Sequence, residues 1–97
     1  MADRSTQAHK APVYLKALTL RDVTDIAGVK EDIKKHMIVI LRVTPLAQKD
    51  VEELRKAIEE LYSYAQSIGG DIARLGEERI VLTPPDVKIW RGAYDLK

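Results

Sequence analysis

Residues 68 to 84 read Ile-Gly-Gly-Asp-Ile-Ala-Arg-Leu-Gly-Glu-Glu-Arg-Ile-Val-Leu-Thr-Pro. Gly69 and Gly70 stand where a helix needs a left-handed carboxyl cap, a conformation that glycine enters without steric cost. Two short strands follow, Asp71 to Leu75 and Arg79 to Thr83, with Gly76-Glu77-Glu78 as the tight turn between them. Pro84 and Pro85 end the pairing, because neither has a backbone N–H to donate. A helix that stops on glycine and is followed by a hairpin belongs to a mixed α/β fold.

Working upstream, Val51, Leu54, Ile58, Leu61, Ala65 and Ile68 recur at steps of three and four, the strongest helical signal in the chain. Two starts compete for this helix: Thr44 and Pro45 as cap and first position, or Asp50 with Glu53 as a capping box. On its outer face Glu52 precedes Lys56 by four residues and Arg55 precedes Glu59 by four, pairs that suit a solvated surface. Met37 to Val43 is a nearly unbroken apolar run rich in β-branched residues, the pattern of a central strand covered on both faces. Before it, Val13 to Leu20 reads as a first strand. A helix capped by Asp22 or Thr24 then aligns Val23, Ile26, Val29 and Ile33 and ends near Lys34, Lys35 and His36. Val87 to Trp90 fits a last edge strand.

The resulting order is β, α, β, α, β, β and an optional further β. This predicts a two-layer α/β sandwich, a mixed β-sheet with two helices packed on one face. The other face is left bare, and a domain this small commonly covers such a face by dimerising.

Ninety-seven residues suffice for one domain, with a flexible polar tail expected over residues 1–12, a core over 13–90 and a second tail over 91–97. Apolar residues make up 45% and charged ones 32%, which supports a core. Sixteen basic and fifteen acidic residues leave a net charge of +1, with the signs alternating along the chain. That argues against nucleic acid as a partner, since phosphate contacts need a surplus of cations on one face. The absence of cysteine excludes disulfides, thiolate nucleophiles and Cys-based zinc sites, and suits the cytoplasm. The first ten residues hold no apolar core of the signal-peptide kind, and no run approaches the ~20 apolar residues of a membrane span.

Catalytic templates fail. There is no Walker sequence, no Gly-x-Gly-x-x-Gly after a strand and no Gly-x-Ser-x-Gly elbow. His9 and His36 are too few and too differently placed for a metal site or a triad. Glu52, Glu53, Glu59 and Glu60 fall mostly on a solvated helix face, where nothing raises a carboxyl pKa. Phosphate loops precede a helix, whereas Gly69-Gly70-Asp71 follows one. Lys30, Lys34 and Lys35 are interleaved with Glu31 and Asp32, as on an ordinary solvated helix. Tyr62 and Tyr64 point to different faces of the long helix, so at most one is core, and Tyr64 is set down as a partner contact because exposed tyrosine is enriched at interfaces. No catalytic residue, metal or cofactor is expected.

The segment Ile-Gly-Gly-Asp-Ile-Ala-Arg-Leu-Gly followed by Ile-Val-Leu-Thr-Pro, with a greasy strand and a long helix ahead of it, resembles the core domain of the SepF family of cell-division proteins, particularly its archaeal form. The resemblance covers about residues 13 to 90. It implies a non-enzymatic adaptor: a homodimer, with polymers beyond it left open, that binds the carboxy-terminal tail of the tubulin-like protein FtsZ. Such an adaptor helps tether the division ring from the cytoplasm at the inner face of the membrane. By position it assigns the tail pocket's basic residue to Arg74 and its large apolar one to Ile80, with Leu75, Val81 and Leu82 as neighbours. Gly69, Gly70, Asp71 and Gly76 hold the turns around them. Membrane contact is expected of the family through an amino-terminal amphipathic helix, but residues 1 to 12 show no apolar face of that kind. The alternative from another class is a dimeric regulatory module that senses a small ligand.

Overall fold

The computed structural model describes residues 12–91; residues 1–11 and 92–97, which hold His9 and nearly all of both expected tails, lie outside the described residues. Its elements are β1 (Leu15–Thr19), α1 (Asp25–Lys34), β2 (Ile38–Arg42), α2 (Thr44–Lys49), α3 (Val51–Ile68), β3 (Asp71–Leu75) and β4 (Arg79–Thr83). The strands form one sheet in the order β1-β2-β4-β3. The β1–β2 pair is parallel, as a crossover helix between consecutive strands requires, and the other two pairs are antiparallel. The expected mixed sheet is therefore present.

Register decides the faces. Leu18, Leu41, Ile80 and Arg74 align across the four strands, as do Val39, Leu82 and Ile72 two residues away. Apart from Arg74, these residues join Ile26, Val29 and Ile33 of α1, Leu46 of α2 and Ala57 and Leu61 of α3 in one core. The opposite face carries Leu15, Ala17, Ile38, Ile40, Val81, Ala73 and Leu75. No element among the described residues covers it: Leu15 is 60% and Leu75 50% exposed. The expectation that β2 is covered on both faces therefore holds only for its helix side. Val39 and Leu41 are buried and Ile38 and Ile40 only half so, because the helices all return to the same side.

The two competing helix starts are both used. Val43 is the amino-terminal cap of α2, one residue earlier than expected, so Thr44 is already helical. Asp50 then ends α2 through its N–H to the Leu46 carbonyl at 2.8 Å, and its extended backbone (φ −164°, ψ 106°) breaks the helical path. Its carboxylate at once caps α3 by accepting from the N–H groups of Glu52 and Glu53. The capping box is only half formed, because the Asp50 N–H that Glu53 would accept from already serves α2.

At the start of α1, Thr24 occupies the cap without capping the helix, because its hydroxyl donates to the Asp22 carboxylate at 2.8 Å, and the Asp25 carboxylate accepts from the N–H groups of Arg21 and Asp22. Val23 stays outside the helix and exposed. On α3, Arg55 bridges Glu52 and Glu59, both at 2.9 Å, so Glu52 pairs three residues on and not with Lys56.

The two glycines after α3 have separate jobs. Gly69 takes the left-handed cap at φ +76°. Gly70 is buried, and a Cβ there would collide with the carbonyl oxygen of Thr83, so it lets β3 start directly beside β4. Gly76, at φ +75°, opens the hairpin turn. Val87 to Trp90 is not a strand. After a turn closed by Val87 N–H to the Pro84 carbonyl, this segment is bound by side chains: the Thr83 hydroxyl donates to the Val87 carbonyl and Asp71 accepts from the Ile89 N–H.

Candidate functional site

Helix α3 runs beside the outer strand β3, and between them lies a groove of about 210 Å³. Ile58 and Tyr62 of α3 form one wall; Ile72, Ala73 and Arg74 of β3 form the other, with Ile80 at the back. The spacing explains the walls. Ile58 and Tyr62 are four apart on one helix stripe, and Ile72 and Arg74 are two apart on the helix-facing side of β3. Ala73 belongs to the opposite face by register, so it lends the groove its main chain. Ile80 is 2% exposed and Tyr62 52% exposed, so the groove passes from core at its back to solvent at its rim.

Arg74 is the groove's cation. It is exposed, and its Nη2 donates only a long bond of 3.3 Å to the Glu77 carbonyl. A second polar cluster closes the start of β3. Arg91 Nη1 donates to Asp71 Oδ2 at 3.0 Å, Arg91 Nη2 donates to the Ile72 carbonyl at 3.0 Å, and the Ile72 N–H donates to Asp71 Oδ1 at 2.9 Å. The Arg91 guanidinium, followed by the N–H groups of Ile89 and Ile72, pulls the Asp71 carboxyl down to about 2. Asp22, before α1, is likewise held at about 2 by Lys49 and Thr24.

The residues singled out from sequence fall in three places. Arg74 and Ile80 line the groove. Leu82 lies in the core at 0% exposure, two residues along the same strand face. Leu75 and Val81 are on the uncovered face of the sheet, pointing away from the groove. Tyr64 is half-buried against the core, with Lys30 Nζ 5.2 Å from its ring centroid and bonded to Glu60 at 2.7 Å, so it ties α1 to α3. The tyrosine of the groove is Tyr62. Ile58, Ile72 and Ala73 were also not singled out; the step of four linking Ile58 to Tyr62 was the available signal.

Among the described residues there is no group of three or more His, Cys, Asp or Glu placed to hold a metal ion. No described helix is long and apolar enough to cross a membrane.

An apolar groove beside a strand edge, rimmed by one guanidinium, is thus set in a two-layer α/β module built on a four-stranded mixed sheet. The family model for Cell division protein SepF matches residues 15–89, and the chain belongs to that family. Among solved structures it is similar to a SepF-like protein from Pyrococcus furiosus, at 34% identity and a TM-score of 0.76 over 84% of this chain and 98% of that one. It is also similar to a SepF-like protein from Archaeoglobus fulgidus, at 25% identity and TM-score 0.75, covering 81% and 94%. The fold is shared by the Cell division protein SepF from Methanobrevibacter smithii in complex with FtsZ-CTD, at 18% identity and TM-score 0.73, covering 81% and 99%. Curated protein sequences contain no match.

Proposed function

We propose that this chain is a non-enzymatic cell-division adaptor that binds the carboxy-terminal tail of FtsZ in the α3–β3 groove and, as a homodimer, helps organise the division ring at the inner face of the membrane. The observation that carries the reading is the placement of Arg74 on the rim of an apolar groove in a SepF-family fold. A short peptide with an apolar anchor and a neighbouring carboxylate matches that arrangement in shape and charge. The complex of the M. smithii relative with FtsZ-CTD supports the choice of peptide.

The groove also weighs against the small-ligand alternative. About 210 Å³ of open groove is less than the roughly 300–1,000 Å³ in which small molecules are usually enclosed. For the dimer, the supporting feature is the bare sheet face with Leu15, Ile38, Ile40, Val81 and Leu75.

Titrating the protein with a synthetic FtsZ tail peptide by calorimetry tests the proposal. Saturable micromolar binding that weakens about tenfold in Arg74→Glu is expected. No heat and no spectral change at several hundred micromolar peptide would overturn it.

A further inference from the structure

In an antiparallel ladder, successive residues of an edge strand turn their N–H and C=O alternately to the neighbouring strand and to solvent. On β3 the outward residues are Ile72 and Arg74. The Ile72 carbonyl takes a bond from the Arg91 guanidinium and its N–H gives one to the Asp71 carboxylate, so both partner groups are side chains and not a neighbouring strand. The partners of these residues on β4, Leu82 and Ile80, turn their own groups the other way, toward Val39 and Leu41 of β2.

The two outward positions differ in one respect. At Ile72 both main-chain groups are satisfied within the chain, by the Asp71–Arg91 clasp. At Arg74 neither the N–H nor the C=O has a partner among the described residues. Beyond Leu75 the strand ends in the turn at Gly76. One outward pair is therefore left open, and the groove runs against it, since Ala73 contributes its main chain to the wall.

Resting on the reading given under Proposed function, we propose that the FtsZ tail binds as a short added strand on β3, hydrogen-bonded through the main chain of Arg74 alone. A peptide residue paired there directs its side chain to the same face as the Arg74 side chain, into the groove between Ile58 and Tyr62. The Asp71–Arg91 clasp stops the pairing from extending to Ile72. The edge thereby accepts a short segment and refuses a long one, which also protects it against uncontrolled strand addition.

The test is a backbone N-methyl scan of a synthetic FtsZ carboxy-terminal peptide against the full 97-residue chain, read by calorimetry and by amide hydrogen exchange. With the parent peptide saturating, exchange of the Arg74 N–H slows about tenfold or more. Methylation at one peptide amide weakens binding about tenfold, and methylation of its two neighbours does not. In Arg91→Ala, which frees the Ile72 carbonyl, a second methylation-sensitive position appears two residues away. A parent peptide that binds while every N-methyl variant binds equally overturns strand addition and leaves the groove reading standing. Failure of the parent peptide to bind overturns both. A single sensitive position in Arg91→Ala, unchanged from the original chain, overturns the role of the clasp.

Discussion

Arg74 and Ile80 stand directly opposite each other across the β3–β4 ladder and turn their side chains to the same face, one exposed at the groove's rim and the other 2% exposed at its back. Binding and folding are thus separable at adjacent positions. Arg74→Glu is expected to leave the urea midpoint nearly unchanged, within about 0.5 kcal/mol, while reversing the charge offered to an acidic peptide. Ile80→Ala opens a void in the core and should cost about 2–4 kcal/mol in the same urea experiment. A combined substitution would confuse the two effects, so each is measured alone.

The two tyrosines of α3 give a matched pair. Tyr62 is 52% exposed and lines the groove, whereas Tyr64 packs on the core beneath Lys30. Tyr62→Ala should change stability by about 0.5 kcal/mol or less and weaken peptide binding severalfold, as loss of an aromatic contact surface does. Tyr64→Ala should do the reverse, lowering stability by about 1–2 kcal/mol through lost packing and a lost cation–π contact. Calorimetry and chemical denaturation on both variants read the contrast.

Alanine at the two adjacent glycines is expected to cost different amounts for different reasons. At Gly69 an alanine has open space but must hold φ near +76°, a penalty of about 1–2 kcal/mol. At Gly70 the added methyl meets the main chain of Thr83, which cannot yield without disturbing the β3–β4 ladder. Gly70→Ala should therefore be the more destabilising, by about 1 kcal/mol or more, in equilibrium unfolding. Equal losses at both sites would mean that β3 shifts to accommodate the methyl.

The clasp at Asp71 predicts an acid dependence. Its carboxyl is lowered from 3.8 to about 2, chiefly by Arg91, so the folded chain favours the ionised form more than the unfolded chain does. The stabilisation is fully present above pH 4 and is lost as the pH falls from about 4 to about 2. Because Arg91 is half exposed, the contribution is on the order of 1 kcal/mol. Asp71→Asn should lower stability at pH 7 and flatten the profile between pH 4 and pH 2, apart from the slope that Asp22 supplies; Arg91→Ala should give a partial version. Melting curves at closely spaced pH values check both.

Local chemistry was legible in the sequence where one residue type has one use. The β-branched apolar run of β2, the three-and-four step of α3, the glycine stop and the proline end of the hairpin all match the elements observed. Thr44-Pro45 and Asp50 each looked like the start of one helix, and only the extended backbone at Asp50 shows that there are two. What periodicity could not supply is adjacency. Tyr62 reaches the groove because α3 lies against β3, a tertiary fact with no local signature. Likewise Val87 to Trp90 has strand-like residues, but the Asp71 carboxylate and the Thr83 hydroxyl take up its main-chain groups before any strand can.

Ile40 and Val81 are cross-strand partners at the middle of the bare sheet face, and they offer the sharpest test of how two copies associate. If the dimer forms through this face, Ile40→Lys places a cation in the centre of an apolar contact, where its desolvation has no compensating partner. The variant is expected to be monomeric by light scattering at concentrations where the original chain is dimeric. Its groove lies on the other side of the sheet, so FtsZ-peptide affinity should be retained. A variant that stays dimeric would move the interface to the helical side, where Val51 is 69% exposed at the start of α3, and Val51→Lys would then be the substitution that separates the copies.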